Sequence, residues 1–163
     1  MKNSIKQKPS LIIVDDHLIF RQGLKSIIDI ENIADVIGEA SSGTEFIELL
    51  KDKKPDVVLM DIDMPYMNGM EATRKGLEMV PEMKIIAVTM FGDEEYYYKM
   101  IELGVKGFIV KSSGIGELEN AIREVMIGES YFSNELLRKI INNYGHKTIE
   151  VPTEEPSVPL PWW

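Results

Sequence analysis

Five side chains in this 163-residue sequence stand where chemistry can collect. Asp15 and Asp16 follow the apolar run 11–14, and Asp61 follows the run 56–60. Thr89 follows the run 84–88, and Lys111 follows the run 107–110. If these runs are parallel strands, all five residues lie at the carboxyl edge of one sheet, where open α/β sheets bind ligands. Three carboxylates in one cleft repel one another and need a cation. Donors that are all oxygen favour a hard ion such as Mg²⁺, which keeps waters and leaves positions for substrate oxygens. One carboxylate can then act as a nucleophile towards a phosphoryl group. Phosphoryl transfer needs its equatorial oxygens neutralised. Lys111 and Mg²⁺ can do this, while the Thr89 hydroxyl hydrogen-bonds another oxygen.

The elements that must position these residues are legible from hydrophobic periodicity. Strands are expected at 11–14, 36–40, 56–60, 84–88 and 107–110, each apolar nearly throughout. Between them lie helical patterns. Phe20, Leu24, Ile27 and Ile28 share one helical face, and Phe46, Leu49 and Leu50 mark a second helix. A third opens at Asn68-Gly69 and runs to about Met79. A fourth is capped by Asp93 and ends at Gly104. Leu118, Ala121, Ile122 and Val125 define a fifth, which stops near Gly128. Strands without alternation are buried on both faces. Repeated βα units imply right-handed crossovers and a parallel sheet covered on both sides. The fold class is α/β, a doubly wound five-stranded parallel sheet. Tyr97, Met100 and Ile101 fit one helical face, so Tyr97 is expected in the core, with Tyr96 and Tyr98 pointing elsewhere.

Composition narrows the function. Lys and Arg number 18 against 27 Asp and Glu, a formal charge of −9. That opposes nucleic acid or anionic lipid as a partner of the whole surface. The absence of Cys removes disulfides, zinc-thiolate sites and Cys nucleophiles. With two histidines, a multi-His metal site is not expected. No apolar run reaches the ~20 residues of a membrane span, and no signal peptide is legible. A soluble, cytoplasmic protein with no membrane partner is expected. The sequence divides into an N-terminal extension (1–9), a domain (10–129), a linker helix (130–144) and a Pro-rich tail (145–163). Four of the eight prolines fall in the last twelve residues, so the tail is read as extended or disordered.

The segments LIIVDDHLIFRQGL, PDVVLMDIDMPYMNGMEA, IIAVTMF and GVKGFIVKSS resemble, in order and spacing, the receiver domain of two-component response regulators. The resemblance covers roughly residues 10–128. It implies a flavodoxin-like (βα)5 fold with strand order 2-1-3-4-5. It also implies that Asp61 accepts a phosphoryl group from a sensor histidine kinase. Asp15, Asp16 and Asp61 would hold Mg²⁺ together with the backbone carbonyl of Asp63. Thr89 and Lys111 would hold the phosphoryl oxygens. Phe108 matches the family's rotating aromatic switch, paired with Thr89. Such a protein is a phosphoacceptor switch, not an enzyme beyond self-phosphorylation from small donors and self-dephosphorylation. A homodimer formed on phosphorylation is consistent with this reading. The wording around Asp15 and Lys111 is most similar to the subfamily with a LuxR-type helix-turn-helix output, which would regulate transcription. No helix-turn-helix is legible after Tyr144, so this chain alone is not expected to bind DNA specifically. The family often has Pro after the lysine, where this chain has Ser112.

Two rivals remain at this point. Asp61-Ile62-Asp63 imitates the nucleophile motif of haloacid-dehalogenase-type phosphatases. In that family, however, the Asp-x-Asp motif comes first, whereas here Asp15-Asp16 precedes it. The other rival is a non-phosphorylated interaction module on the same scaffold, which would be free to lose the five site residues.

Overall fold

The computed structural model describes residues 8–64, 67–90, 94–132, 137–138 and 141–142, without the side chains of 94–96. The elements alternate along the chain. They run β1 (Ser10–Val14), α1 (Leu18–Ile30), β2 (Asp35–Ala40), α2 (Gly43–Leu49), β3 (Val57–Asp61) and α3 (Gly69–Met79). They continue with β4 (Lys84–Thr89), α4 (Glu94–Leu103), β5 (Gly107–Val110), α5 (Ile115–Met126) and β6 (Tyr131–Phe132). The sheet order is β2-β1-β3-β4-β5-β6, and every pairing is parallel.

The expected α/β class, parallel sheet and five helices are present. The strand count differs, because the sheet has six strands and not five. β6 is only two residues long, and it pairs Gly107 with Tyr131 and Phe108 with Phe132. Gly107 allows this close approach, since a Cβ there would lie 3.2 Å from the Tyr131 carbonyl oxygen. The Tyr131 hydroxyl donates to Glu117 Oε2 of α5 at 2.9 Å, which anchors the strand to the helix. The Asp93 cap, the Tyr96 side chain, most of the linker helix, the Pro-rich tail and Trp162-Trp163 lie outside the described residues.

Successive strand residues serve opposite cores, as the two-residue period of a strand requires. Ile12, Val14, Val58, Met60, Ile85, Ala87 and Phe108 face one side, with Phe46 of α2, Ala72 of α3, and Tyr97 and Met100 of α4. Leu11, Ile13, Val57, Leu59, Ile86, Val88 and Ile109 face the other, with Ile28 of α1 and the Leu118/Ala121/Ile122/Val125 stripe of α5. Both faces are therefore apolar, which is why these strands read as unbroken hydrophobic runs. Each fully buried Leu or Ile contributes about 1.5–3 kcal/mol. Tyr97 is fully buried, as its helical spacing predicts.

Local signals start and stop the helices that frame the site. The Ser42 hydroxyl caps α2 by accepting from the Glu45 N–H at 3.1 Å. The Glu45 carboxylate reaches back to the Ser41 N–H at 2.7 Å, which holds its pKa below the usual value. The Asn68 side chain caps α3 by accepting from the Glu71 N–H at 3.0 Å. Gly104 (φ 107°) ends α4 in the left-handed region that favours glycine.

Candidate functional site at the carboxyl edge of the sheet

The strand register alone assembles the site. Val14 pairs with Met60, so the next residue of each strand, Asp15 and Asp61, are neighbours. Asp61 pairs with Val88, which places Thr89 one step further along β4. Thr89 pairs with Val110, which places Lys111 just beyond β5. The strand order reverses between β1 and β3, so Asp15 and Asp61 lie at the switch point where doubly wound sheets open a crevice.

Each acidic group is held by its own loop. Asp15 Oδ1 accepts from the His17 N–H at 2.8 Å, and the Asp15 carbonyl oxygen accepts from Arg21 Nη1. Arg21 Nε also pairs with Glu39 at 3.1 Å, so one guanidinium ties α1 to the ends of β1 and β2. Asp61 Oδ1 accepts from the Asp63 N–H at 3.1 Å. This turn is tight because Gly69 sits against it. A Cβ on Gly69 would collide with Ile62 Cα and lie 2.5 Å from the Asp61 carbonyl oxygen.

Lys111 is the cation of the site. Its ammonium is 2.9 Å from Asp15 Oδ2 and 3.6 Å from Asp61 Oδ2, and it lies 4.8 Å from the centre of the Phe20 ring. Its N–H donates to the Thr89 carbonyl oxygen at 2.7 Å, which locks the ends of β4 and β5 together. Asp15 and Asp61 are each 2% exposed and Thr89 is 5% exposed, whereas Asp63 is exposed.

One lysine does not balance this much negative charge. The Asp61 carboxyl is pushed up to about 7, chiefly by burial and then by the Asp15 charge, with Asp16 adding to the rise. The Asp63 N–H and Lys111 pull it down, and they do not offset the rise. Asp61 Oδ2 and Asp16 Oδ1 are buried and make no hydrogen bond. Ligand atoms of Asp15, Asp16, His17 and Asp61 lie within 4.8 Å of one another. Two orphaned carboxylate oxygens in a crowded acidic cluster fit a small divalent cation, and hard oxygen donors fit Mg²⁺.

The sequence-predicted residues Asp15, Asp16, Asp61 and Lys111 converge here, with Thr89 at the end of the strand between Asp61 and Lys111. Phe108 is fully buried in β5, with its ring edge-on to Tyr97 (centroids 5.2 Å apart) and 5.7 Å from Phe132. Sequence reasoning missed three participants. His17 adjoins the acidic pair and touches both its carboxylates and Lys111. Arg21 fixes the β1 loop, and Gly69 permits the β3 turn. His17 was legible only as the third residue of Asp15-Asp16-His17, a signal that the low histidine count obscured. Among the described residues, no helix is long and apolar enough to cross a membrane.

Comparison with known proteins agrees with this fold. The family model for the response regulator receiver domain matches residues 11–123. The chain is 37% identical over 131 residues to the response regulator GacA of Pseudomonas syringae pv. syringae (strain B728a), covering 80% of this chain and 61% of that protein. It is 38% identical over 135 residues to the oxygen regulatory protein NreC of Staphylococcus aureus (strain JH9), covering 82% of this chain and 62% of that protein. The chain thus spans less than two thirds of the length of these relatives. Among solved structures, a LuxR-family two-component response regulator from Aurantimonas sp. SI85-9A1 superposes with a TM-score of 0.79 at 30% identity. That match covers 85% of this chain and 99% of the other. A parallel sheet that gathers Asp15, Asp61 and Lys111 at its switch point, and a family model spanning that sheet, lead to one conclusion: the chain belongs to the response regulator receiver family, the signalling switches of two-component systems.

Proposed function

We propose that this receiver takes a phosphoryl group on Asp61 from the phosphohistidine of a sensor histidine kinase. A carboxylate oxygen of Asp61 forms the new P–O bond as the donor P–N bond breaks, and the departing imidazole keeps the electron pair and takes up a proton. The observation that carries this reading is the buried Asp61 carboxylate, which has one oxygen without a hydrogen bond and an ammonium 3.6 Å away. Asp15, Asp16 and Asp61, with the backbone carbonyl of Asp63, would hold Mg²⁺, which supplies charge neutralisation to the phosphoryl oxygens. Lys111 would bind a second phosphoryl oxygen, a role supported by its ammonium lying 3.6 Å from Asp61 Oδ2. The Thr89 hydroxyl binds the third. The Asp63 N–H keeps Asp61 oriented.

Phosphorylation adds charge and acceptor oxygens beside Thr89. Thr89 then moves inward and the buried Phe108 ring rotates with it, which changes its existing packing on Tyr97 and Phe132. The domain is a two-state element biased by phosphate, and its output surface includes α4, β5 and α5. A homodimer on phosphorylation is one output. A second, if the protein continues into a DNA-binding domain, is transcription regulation of the kind that the LuxR-type relatives suggest. The described elements all belong to the receiver sheet and its helices, and the receiver alone is not expected to bind DNA. Turnover of phosphomonoesters, as by a dehalogenase-type phosphatase, is not favoured by the order Asp15-Asp16 before Asp61.

The test is labelling by acetyl phosphate with and without Mg²⁺, followed by intact-protein mass. One phosphoryl group per chain, dependent on Mg²⁺ and absent in Asp61→Ala, is expected. Equal labelling of Asp61→Ala would place the nucleophile elsewhere.

A further inference from the structure

We infer that His17 gives this acidic site a nitrogen ligand and makes it select Zn²⁺-type cations as well as Mg²⁺. The inference rests on the acidic site proposed above and concerns a residue that reading leaves idle.

His17 stands beside the acidic pair at the separations found between ligands of one ion. His17 Nδ1 lies 3.0 Å from Asp15 Oδ1 and 3.5 Å from Asp16 Oδ1. Ligands bound to zinc at about 2.0–2.2 Å stand about 3.4 Å from one another in a tetrahedron. The two observed separations bracket that edge.

The same nitrogen also lies 3.0 Å from the Lys111 ammonium, so Nδ1 looks onto the space shared by Asp15, Asp16 and Lys111. Lys111 is itself a stand-in cation, held by Asp15 Oδ2 at 2.9 Å and by Nδ1. A second observation in the same site points to a ligand. Asp61 is 2% exposed, and its Oδ2 faces the site with no hydrogen bond.

Donor chemistry decides which cation gains. Imidazole nitrogen suits Zn²⁺, Ni²⁺ and Cu²⁺, whereas Mg²⁺ prefers oxygen and keeps its waters. Adding one imidazole to three carboxylates therefore raises the affinity for the former group and leaves Mg²⁺ little changed. His17 is free to make this contribution. Its side chain is 61% exposed, so it is accessible to an incoming ion. It stands at the N-cap of α1 without a capping hydrogen bond from its side chain, so replacing it removes no cap.

The experiment compares the metal-free wild-type chain with His17→Gln. Zn²⁺ binding is read by competition with a chromophoric chelator, and Mg²⁺ binding by amide chemical-shift titration. His146 is present in both proteins, so any difference belongs to His17. The expected result is a loss of at least about tenfold in Zn²⁺ affinity, with Mg²⁺ affinity changed less than about twofold. With Co²⁺ as the probe, the visible absorption should change between the two proteins as a nitrogen ligand is lost. Equal Zn²⁺ affinity and identical Co²⁺ spectra would overturn the assignment. Equal losses for Zn²⁺ and Mg²⁺ would also overturn it, because His17 would then be supporting the carboxylates and not selecting a metal. A wild-type chain that binds no Mg²⁺ yet loses Zn²⁺ affinity on substitution would sustain the His17 assignment and overturn the magnesium reading.

Discussion

Replacing Asp61 by Asn should stabilise the metal-free protein, and the gain should depend on pH. Asp61 is 2% exposed beside Asp15 and has one oxygen without a hydrogen bond. Its carboxyl is raised from 3.8 to about 7, first by burial and then by Asp15. The folded state therefore holds this proton to a higher pH than the unfolded chain does. Stability from this group is intact at low pH and is lost as pH rises towards and through 7. At about 1.4 kcal/mol per pKa unit, full ionisation costs about 4 kcal/mol. That cost already includes the attraction to Lys111 at 3.6 Å; Asn removes it but buries an amide group without a hydrogen-bond partner in place of Oδ2, leaving a net gain of about 2–3 kcal/mol at pH 8. The midpoint of thermal unfolding should rise by roughly 4 °C for each kcal/mol. The Asn side chain still offers an oxygen to the Asp63 N–H, so the turn is preserved. Urea unfolding in EDTA at pH 8 and at pH 5 measures the effect. The advantage of Asn should fall by about half or more at pH 5, where the native Asp61 is protonated. An Asn variant that is less stable than wild type at pH 8, or whose advantage does not vary with pH, would refute the electrostatic reasoning.

Three further outcomes follow from the same geometry. Lys111→Met leaves Asp15 buried without its ammonium at 2.9 Å. It should destabilise the metal-free protein by about 3 kcal/mol in urea, with excess Mg²⁺ recovering part of the loss. Gly69→Ala drives a methyl group into the Asp61–Ile62 backbone. It should slow acetyl phosphate labelling at least about tenfold, since a small misplacement of a reacting group costs heavily, while far-UV circular dichroism stays native. Phe108→Ala removes a fully buried ring packed on Tyr97 and Phe132. It should cost about 3–5 kcal/mol in equilibrium unfolding and abolish the phosphorylation-dependent change in amide exchange across β4 and β5.

Most of the site was readable because a buried parallel strand is a conspicuous sequence feature and its last residue falls at the sheet's working edge. Asp15, Asp61, Thr89 and Lys111 each follow or end such a strand, so their convergence followed from the order of the elements. β6 was not readable in the same way. Two residues with partly exposed side chains carry no periodicity, and the close approach of the Tyr131 carbonyl to Gly107 is a tertiary contact. His17 escaped for a different reason. A lone histidine has no spacing pattern, and its meaning comes from Lys111, 94 residues away. Gly69 read as a helix start, whereas its contact with the Asp61 backbone is a tertiary fact. Tyr97 in the core was legible, because helical spacing alone fixes its face.

The measurement that bears most directly on the account locates the phosphoryl group. The phosphorylated chain would be reduced with borohydride, which converts an aspartyl phosphate to homoserine, and the modified residue identified by peptide mass spectrometry. The account predicts homoserine at position 61 alone, formed only when Mg²⁺ and a phosphodonor are both present. Homoserine at position 15, 16 or 63 with Asp61 unmodified would contradict it.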